Sequence, residues 1–346
     1  MKGFKYVLFL LLMLIIGVSI YIAVQPNSFE VTRTKTINAP QSVIYDNVID
    51  FKNWHSWSPW TSDKQETEIT LSENKKGIGS SYQWNTNNEL GSITTTDAKL
   101  NTLIAQELQL HKFPKADLNM IFKANDDGST DVTWTVTSEN LPFKFKMWSA
   151  FTESTEEKIG PDLELGLEEL DRAIQAEMKV YSITVEGITE HSGGYYLYNT
   201  TSSKFNDFDE KMTTKLGEVG AYAITHNISM AGKPFILYNK WDAENDAIIF
   251  SACIPTNSKI LSEEPEILTG KLESFRTVKT VLKGDYSNMQ EAWDKTLNYI
   301  AVNNLEVIEG GPMLQTYLTL PENYPNPADW RAEIYVAIKQ ATELYN

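Results

Sequence analysis

The sequence predicts an α+β chain in three parts: an N-terminal transmembrane helix, a sheet wrapped on a long helix, and a pseudo-symmetric unit in which a strand-helix-strand-strand pattern occurs twice. Three observations predict it. Residues 6–24 form an unbroken apolar run. Residues 29–178 hold several short alternating runs bracketed by two helical stripes. Residues 180–342 contain two stretches with the same order of elements, each with a G-x-P turn leading into a strand.

The apolar run opens with Tyr6 and closes with Val24, and reads YVLFLLLMLIIGVSIYIAV. A helix of that length crosses the hydrocarbon core of a bilayer, so residues 1–25 are expected to be a membrane anchor. A cleaved secretory signal is the competing reading, but the run is longer than the usual signal core and no small-x-small site precedes Gln25. Lys2 and Lys5 precede the span, which favours a single-pass topology with a cytoplasmic N-terminus and the folded parts on the outer, periplasmic or extracytoplasmic side. No cysteine follows the segment, which excludes a lipoprotein anchor.

In the first folded part, residues 29–37 are rich in Thr, Val and Ile and read as a strand. Asn38, Ala39 and Pro40 then open a helix whose stripe is Val43, Ile44, Val48 and Phe51. Strand-like runs follow at 68–71, 80–84, 103–110, 118–124 and 131–137. The last two alternate cleanly, and the Asn-Asp-Asp-Gly stretch at 125–128 between them is hairpin chemistry. A final helix places Leu163, Leu167, Leu170, Ile174 and Met178 on one face. Trp54, Trp57 and Trp60 stand three apart, either as a ligand-stacking ladder or as core plugs at the base of a cavity, and Trp134 alternates with Val132 and Val136 on the 131–137 strand. Lys75 to Ser80 lacks the spacing of a phosphate loop and reads as a strand-connecting turn.

This order, with T-I-N-A-P-Q-S-V-I-Y-D-N-V-I-D-F-K-N-W-H-S-W-S-P-W near its start and I-G-P-D-L-E-L-G-L-E-E-L at its end, resembles the START-like superfamily, also called SRPBCC or polyketide-cyclase-like. The resemblance implies a helix-grip fold enclosing a hydrophobic cavity, for which Trp54, Trp57, Trp60 and Trp134 are the candidate lining.

In the second part, a strand at 195–198, a helix at about 205–216 and strands at 235–241 and 247–254 form the first copy. The second runs over 277–338. Met289, Ala292, Trp293, Leu297, Ile300 and Ala301 form a helical stripe, which Asn304 and the Gly310-Gly311 pair break. Leu314, Thr316, Leu318 and Leu320 then alternate with Gln315, Tyr317 and Thr319, and Ile334, Val336 and Ile338 alternate with Glu333, Tyr335 and Ala337. If the strands pair, Tyr317, Glu333 and Tyr335 are expected on one face, a carboxylate among rings. Such a cage suits an organic cation or a flat amphipathic molecule; the plainer alternative is a solvent-facing Glu333 and ordinary sheet tyrosines.

The G-D-Y, the Trp-bearing helix, the G-G-P-x-x-x-x-Y turn and the closing A-E-I-Y-V-A-I resemble the GyrI-like domain, the bacterial transcription-activator effector-binding domain. That resemblance implies two strand-helix-strand-strand repeats around a small-molecule pocket, with Glu333 facing the ligand and Tyr317 following the turn. It makes Trp293 and Tyr335 further lining candidates, and Phe235 and Tyr238 the opposite wall. The position matching Glu333 in the first copy is expected to be Ile248. Regulators of this family carry a DNA-binding helix-turn-helix ahead of the domain; here a membrane segment and a START-like part take that place.

Composition bounds the function. The chain has 346 residues, 46 acidic against 30 basic, and a net charge of −16. So negative a surface repels phosphate backbones, and nucleic acid is not an expected partner. Cys253 is the only cysteine, and His55, His111, His191 and His226 lack ligand spacing, so no metal is expected. There is no G-x-S-x-G, no Cys/His pairing and no H-E-x-x-H; no catalytic residue and no cofactor is assigned. The leading expectation is a non-catalytic, membrane-anchored small-molecule binding protein. One alternative is an enzyme, a polyketide cyclase or small-molecule hydrolase using Glu333 as acid or base; another is a membrane-tethered scaffold or chaperone. A pocket at Glu333 favours the first two over the scaffold, and a second titratable group within reach of Glu333 favours the enzyme.

Overall fold

The computed structural model describes residues 2–61, 67–85, 90–110, 113–152 and 154–340; His111 and residues 341–342 lie outside them. The chain divides into two compact units, Met1–Glu177 and Met178–Asn346.

Unit 1 opens with α1 (Lys2–Ala23), in which Phe4–Ala23 is long and apolar enough to cross a membrane and is almost wholly exposed. Strand β1 (Phe29–Ile37) leads into α2 (Gln41–Ile49), and six strands follow: β2 (Glu68–Leu71), β3 (Ser81–Asn85), β4 (Leu90–Lys99), β5 (Leu103–Leu110), β6 (Ala116–Ala124) and β7 (Thr130–Ser138). They form one antiparallel sheet in the order β1-β7-β6-β5-β4-β3-β2. The β6–β7 turn closes as its sequence predicts, with the Gly128 N–H donating to the Asn125 carbonyl.

Helix α3 (Phe143–Phe151) precedes the long α4 (Thr155–Met178). A capping box starts α4: the Glu157 N–H donates to the Ser154 hydroxyl, and the Ser154 N–H donates back to the Glu157 carboxylate. Leu163, Leu167, Leu170 and Ile174 form its buried stripe. Gly166 belongs to the same face because a Cβ there would stand 2.6 Å from the Trp134 ring. Trp54, Trp57 and Trp134 are fully buried, with ring centroids 4.5 Å apart for Trp54–Trp57 and 6.0 Å for Trp57–Trp134. Trp60 is half-buried and lies flat on Trp84.

Unit 2 contains β8 (Ser182–His191), β9 (Gly194–Ser203), α5 (Phe208–Thr225), β10 (Phe235–Asp242), β11 (Ala247–Thr256), β12 (Leu268–Leu272), β13 (Phe275–Lys283), α6 (Met289–Val302), β14 (Met313–Tyr317) and β15 (Arg331–Ala337). Its single antiparallel sheet has the order β12-β9-β11-β10-β14-β15-β13-β8. About the β10–β14 seam, β11-β9 on one side is matched by β15-β13 on the other. Both helices pack on one face: Val219 and Tyr222 of α5 lie against Leu197 and Ile254, and Ala292 and Ile300 of α6 against Val278, Ile334 and Val336. Among the described residues of this unit no helix packs on the other face.

Candidate functional site

Strand register decides which side chains meet, because residues directly opposite in an antiparallel pair share a face. Thr316 pairs with Glu333 and Leu314 with Tyr335, while Tyr317 pairs with Ala332. Glu333 and Tyr335 therefore lie on the helix-free face. Continuing across the sheet, Lys279 pairs with Tyr335, Phe275 with His191, Phe235 with Cys253, and Cys253 with Tyr198. That face thus gathers Tyr196, Tyr198, Phe235, Phe275, His191 and Tyr335.

The rings cover one another in place of a helix. Tyr196 meets Phe235 with centroids 5.5 Å apart, and His191 lies 4.9 Å from both Phe275 and Tyr335. Tyr196 and Phe235 are buried, and Tyr335 and Phe275 pack on the same cluster while remaining partly accessible. Gly270 on β12 makes room for this layer, since a Cβ there would fall 2.2 Å from the Tyr196 ring.

Glu333 is embedded at the edge of these rings with 16% of its side chain exposed. It is not alone: the Lys279 ammonium lies 2.8 Å from Oε1, and the Tyr335 hydroxyl donates to Oε2 at 2.5 Å. Lys279 also reaches Glu186 at 3.0 Å, so one cation is shared by two carboxylates. Burial by itself pulls the Lys279 ammonium down, but its hydrogen bonds to Glu333 and Glu186 outweigh that and raise it above the ordinary lysine value. Burial, reinforced by the hydrogen bond to Glu333, pushes the Tyr335 phenol up. Burial holds the His191 imidazole below its ordinary value, against the pull of Glu333. The cluster thus sets two carboxylates against one ammonium, with Glu333 beside the rings and Glu186 on the exposed side.

The other face holds a second polar group. Gln315, 2% exposed, accepts from the Tyr238 hydroxyl at 2.7 Å and from the Trp293 indole N–H at 2.9 Å, and donates to the Tyr317 hydroxyl. The Tyr317 hydroxyl in turn points at the Met212 sulfur of α5. These residues lie under the helices, with Tyr317 packed among Ile236, Ile248, Phe250 and Ala252.

The structure therefore divides the six residues the sequence groups together. Glu333, Tyr335 and Phe235 share the open face; Tyr317, Tyr238 and Trp293 meet around Gln315 on the covered one. Tyr317 is not beside Glu333, because the register sets Thr316 opposite the acid. Phe235 and Tyr238 do not form one wall, being of opposite parity on β10. Ile248, expected as the match of Glu333, does not stand in a like position, since it lies on the opposite face of the sheet. Ile248 is buried on the helix face.

Sequence reasoning missed Lys279, Glu186, His191, Phe275, Tyr196 and Tyr198. The alternation in F-R-T-V-K-T-V-L-K at 275–283 places Phe275 and Lys279 together, but nothing in it sets that lysine against the acid of a strand fifty residues on. A separate open cavity of about 480 Å³ lies at the end of α5, lined by Tyr222, His226, Ile228, Ile260, Leu261 and Glu263. It involves none of the residues around Glu333.

No curated protein matches the chain. Among solved structures, the C-terminal domain of EcmrR is 14% identical, with 47% of this chain and 99% of that one covered and a TM-score of 0.40. EcmrR in complex with DNA is 14% identical, covering 57% and 72%, with a TM-score of 0.41. An integron cassette protein from the mobile metagenome of Vibrio cholerae is 20% identical, covering 46% and 99%, with a TM-score of 0.32. Residues 175–339, which contain both faces described above, match the family model of the GyrI-like small molecule binding domain.

Proposed function

We propose that this chain is a membrane-anchored binding protein whose second unit takes up a small lipophilic cation on its helix-free sheet face. One observation carries the reading: Glu333, set at the edge of a ring-lined surface that no helix of the unit covers, shares a single lysine with the solvent-exposed Glu186. An aromatic surround favours a delocalised cation through its ring faces, and the residual negative charge selects the sign. The chain's net charge of −16 draws cations toward the surface in the same sense. Helix α1 supplies the anchor, and Lys2 and Lys5 in its first turns favour a cytoplasmic N-terminus.

The first unit fits a second, greasier ligand less fully, since its tryptophans pack on one another; the buried indole N–H groups of Trp57 and Trp134, which lack an acceptor among the described residues, are the feature that suits a polar ligand group there.

Titration with tetraphenylphosphonium and with tetraphenylborate, ions of one shape and opposite charge, tests the reading. The cation is expected to saturate a single site and the borate to bind at least about tenfold more weakly, a difference of about 1.4 kcal/mol. Equal affinities would remove charge recognition from the account.

A catalytic reading draws on the two titratable partners of Glu333. Both are poorly placed for proton transfer near neutrality, because Lys279 and Tyr335 are each shifted upward, away from the operating range of a general acid or base. Binding without chemistry is therefore the better account of the cluster.

A further inference from the structure

Helix α3 exposes large apolar side chains. Phe143, Met147, Trp148 and Phe151 fall on one side of it and are 49%, 45%, 37% and 63% exposed, while Phe145 alone is buried. Phe113 extends the patch, its ring 5.6 Å from that of Trp148. The helix carries Lys144 and Lys146 and no acidic residue, in a chain whose net charge is −16. The Lys158 ammonium lies 3.2 Å from the centre of the Trp148 ring.

The position of α3 gives the patch its meaning. The Lys146 ammonium donates to the Gln25 carbonyl at 3.1 Å, the Leu141 N–H donates to the Asn27 carbonyl, and Ile22 at the end of α1 is buried. Helix α3 is thus fastened to the point where the apolar span leaves off. Exposed aromatic rings with lysines beside them, at the end of a spanning helix, match the chemistry of the headgroup and acyl boundary, where rings bury their apolar bodies and ammonium groups reach lipid phosphates.

We propose that α3 lies in the outer membrane–water interface, with Phe143, Met147, Trp148 and Phe151 inserted among anionic lipids, so that the chain is held by a span and an interfacial helix together. This rests on the reading of α1 as a membrane span.

Nitroxide labels at Leu12→Cys, Phe151→Cys and Lys123→Cys test it in the full chain, reconstituted in nanodiscs of phosphatidylcholine and phosphatidylglycerol. Lys123 is an exposed strand residue that serves as the aqueous reference, and the native Cys253 is buried. Collision rates with oxygen and with a water-soluble nickel complex are compared for each label. The proposal expects Leu12 and Phe151 both to favour oxygen, with at least about a fivefold lower nickel-to-oxygen ratio at Phe151 than at Lys123. A Phe151 label as open to nickel as that at Lys123, with Leu12 still in lipid, overturns the proposal and leaves the span intact. A Leu12 label open to nickel overturns the span and the proposal with it. Should the Phe151 variant fold poorly, a label at Met147→Cys on the same face measures the same depth, with the same two outcomes.

Discussion

Replacing Lys279 by Met is expected to raise the affinity for tetraphenylphosphonium about tenfold, whereas Glu333→Gln lowers it by at least about tenfold, about 1.4 kcal/mol each way. The opposite signs follow from the geometry. Lys279 already occupies the position a ligand cation would take, 2.8 Å from one carboxylate and 3.0 Å from another. Removing it leaves the largely buried Glu333 carboxylate among the rings without a counterion, with the exposed Glu186 carboxylate nearby, and an incoming cation restores the pairing that the burial of Glu333 demands. Removing Glu333 leaves Lys279 with Glu186 and takes away the acid that faces the rings. Isothermal titration of both variants at one ionic strength measures the pair; a fall in affinity for Lys279→Met would identify the lysine as the recognition element and reverse the ligand's charge. The same titration carries a pH signature. His191 is held neutral by burial, so a proton arrives only as pH falls below its ordinary value of about 6.5 toward the lowered folded value, placing positive charge near Glu333. Cation affinity then drops. The unfolded chain takes that proton first, so the stability His191 contributes above about pH 6.5 is lost over the same window. His191→Phe removes both effects.

Gln315→Leu is expected to destabilise unit 2 by about 2–5 kcal/mol while leaving cation affinity within about twofold. The amide is the shared acceptor for the Tyr238 hydroxyl and the Trp293 indole, and it satisfies the Tyr317 hydroxyl as well. A leucine fills similar volume but strands the Tyr238 hydroxyl and the Trp293 indole N–H, and each unpaired buried donor costs about 1–3 kcal/mol. Denaturant midpoints report the loss. Unchanged stability with abolished binding would instead move the ligand site to the covered face.

The two faces also show what a single sequence reveals. The alternation through Glu333 and Tyr335 is legible because Ile334 and Val336 between them are plainly core. Tyr317 is misplaced because alternation fixes the relative parity of residues within β14, not which parity faces the helices. Leu314 and Thr316 look like an inward row, yet they lie beneath the rings of the open face. The pairing of Lys279 with Glu333 arises from β13 lying beside β15, a long-range neighbour relation that local pattern does not encode. Helix α3 carries F-K-F-K, a period of two that argues for a strand, and its exposure becomes intelligible only beside the end of α1. Strand β4, with G-S-I-T-T-T at its start, has a single large apolar residue in that run and gives little signal of its own.

The most direct test of a binding face at Glu333 is photo-crosslinking with an aryl-azide quaternary ammonium, followed by peptide mapping of the attachment sites. Adducts are predicted on the partly accessible Phe275, Tyr198 and Tyr335, protected by excess tetraphenylphosphonium. Adducts confined to Tyr222, His226 and Leu261 would place the ligand in the cavity at the end of α5 and contradict the account.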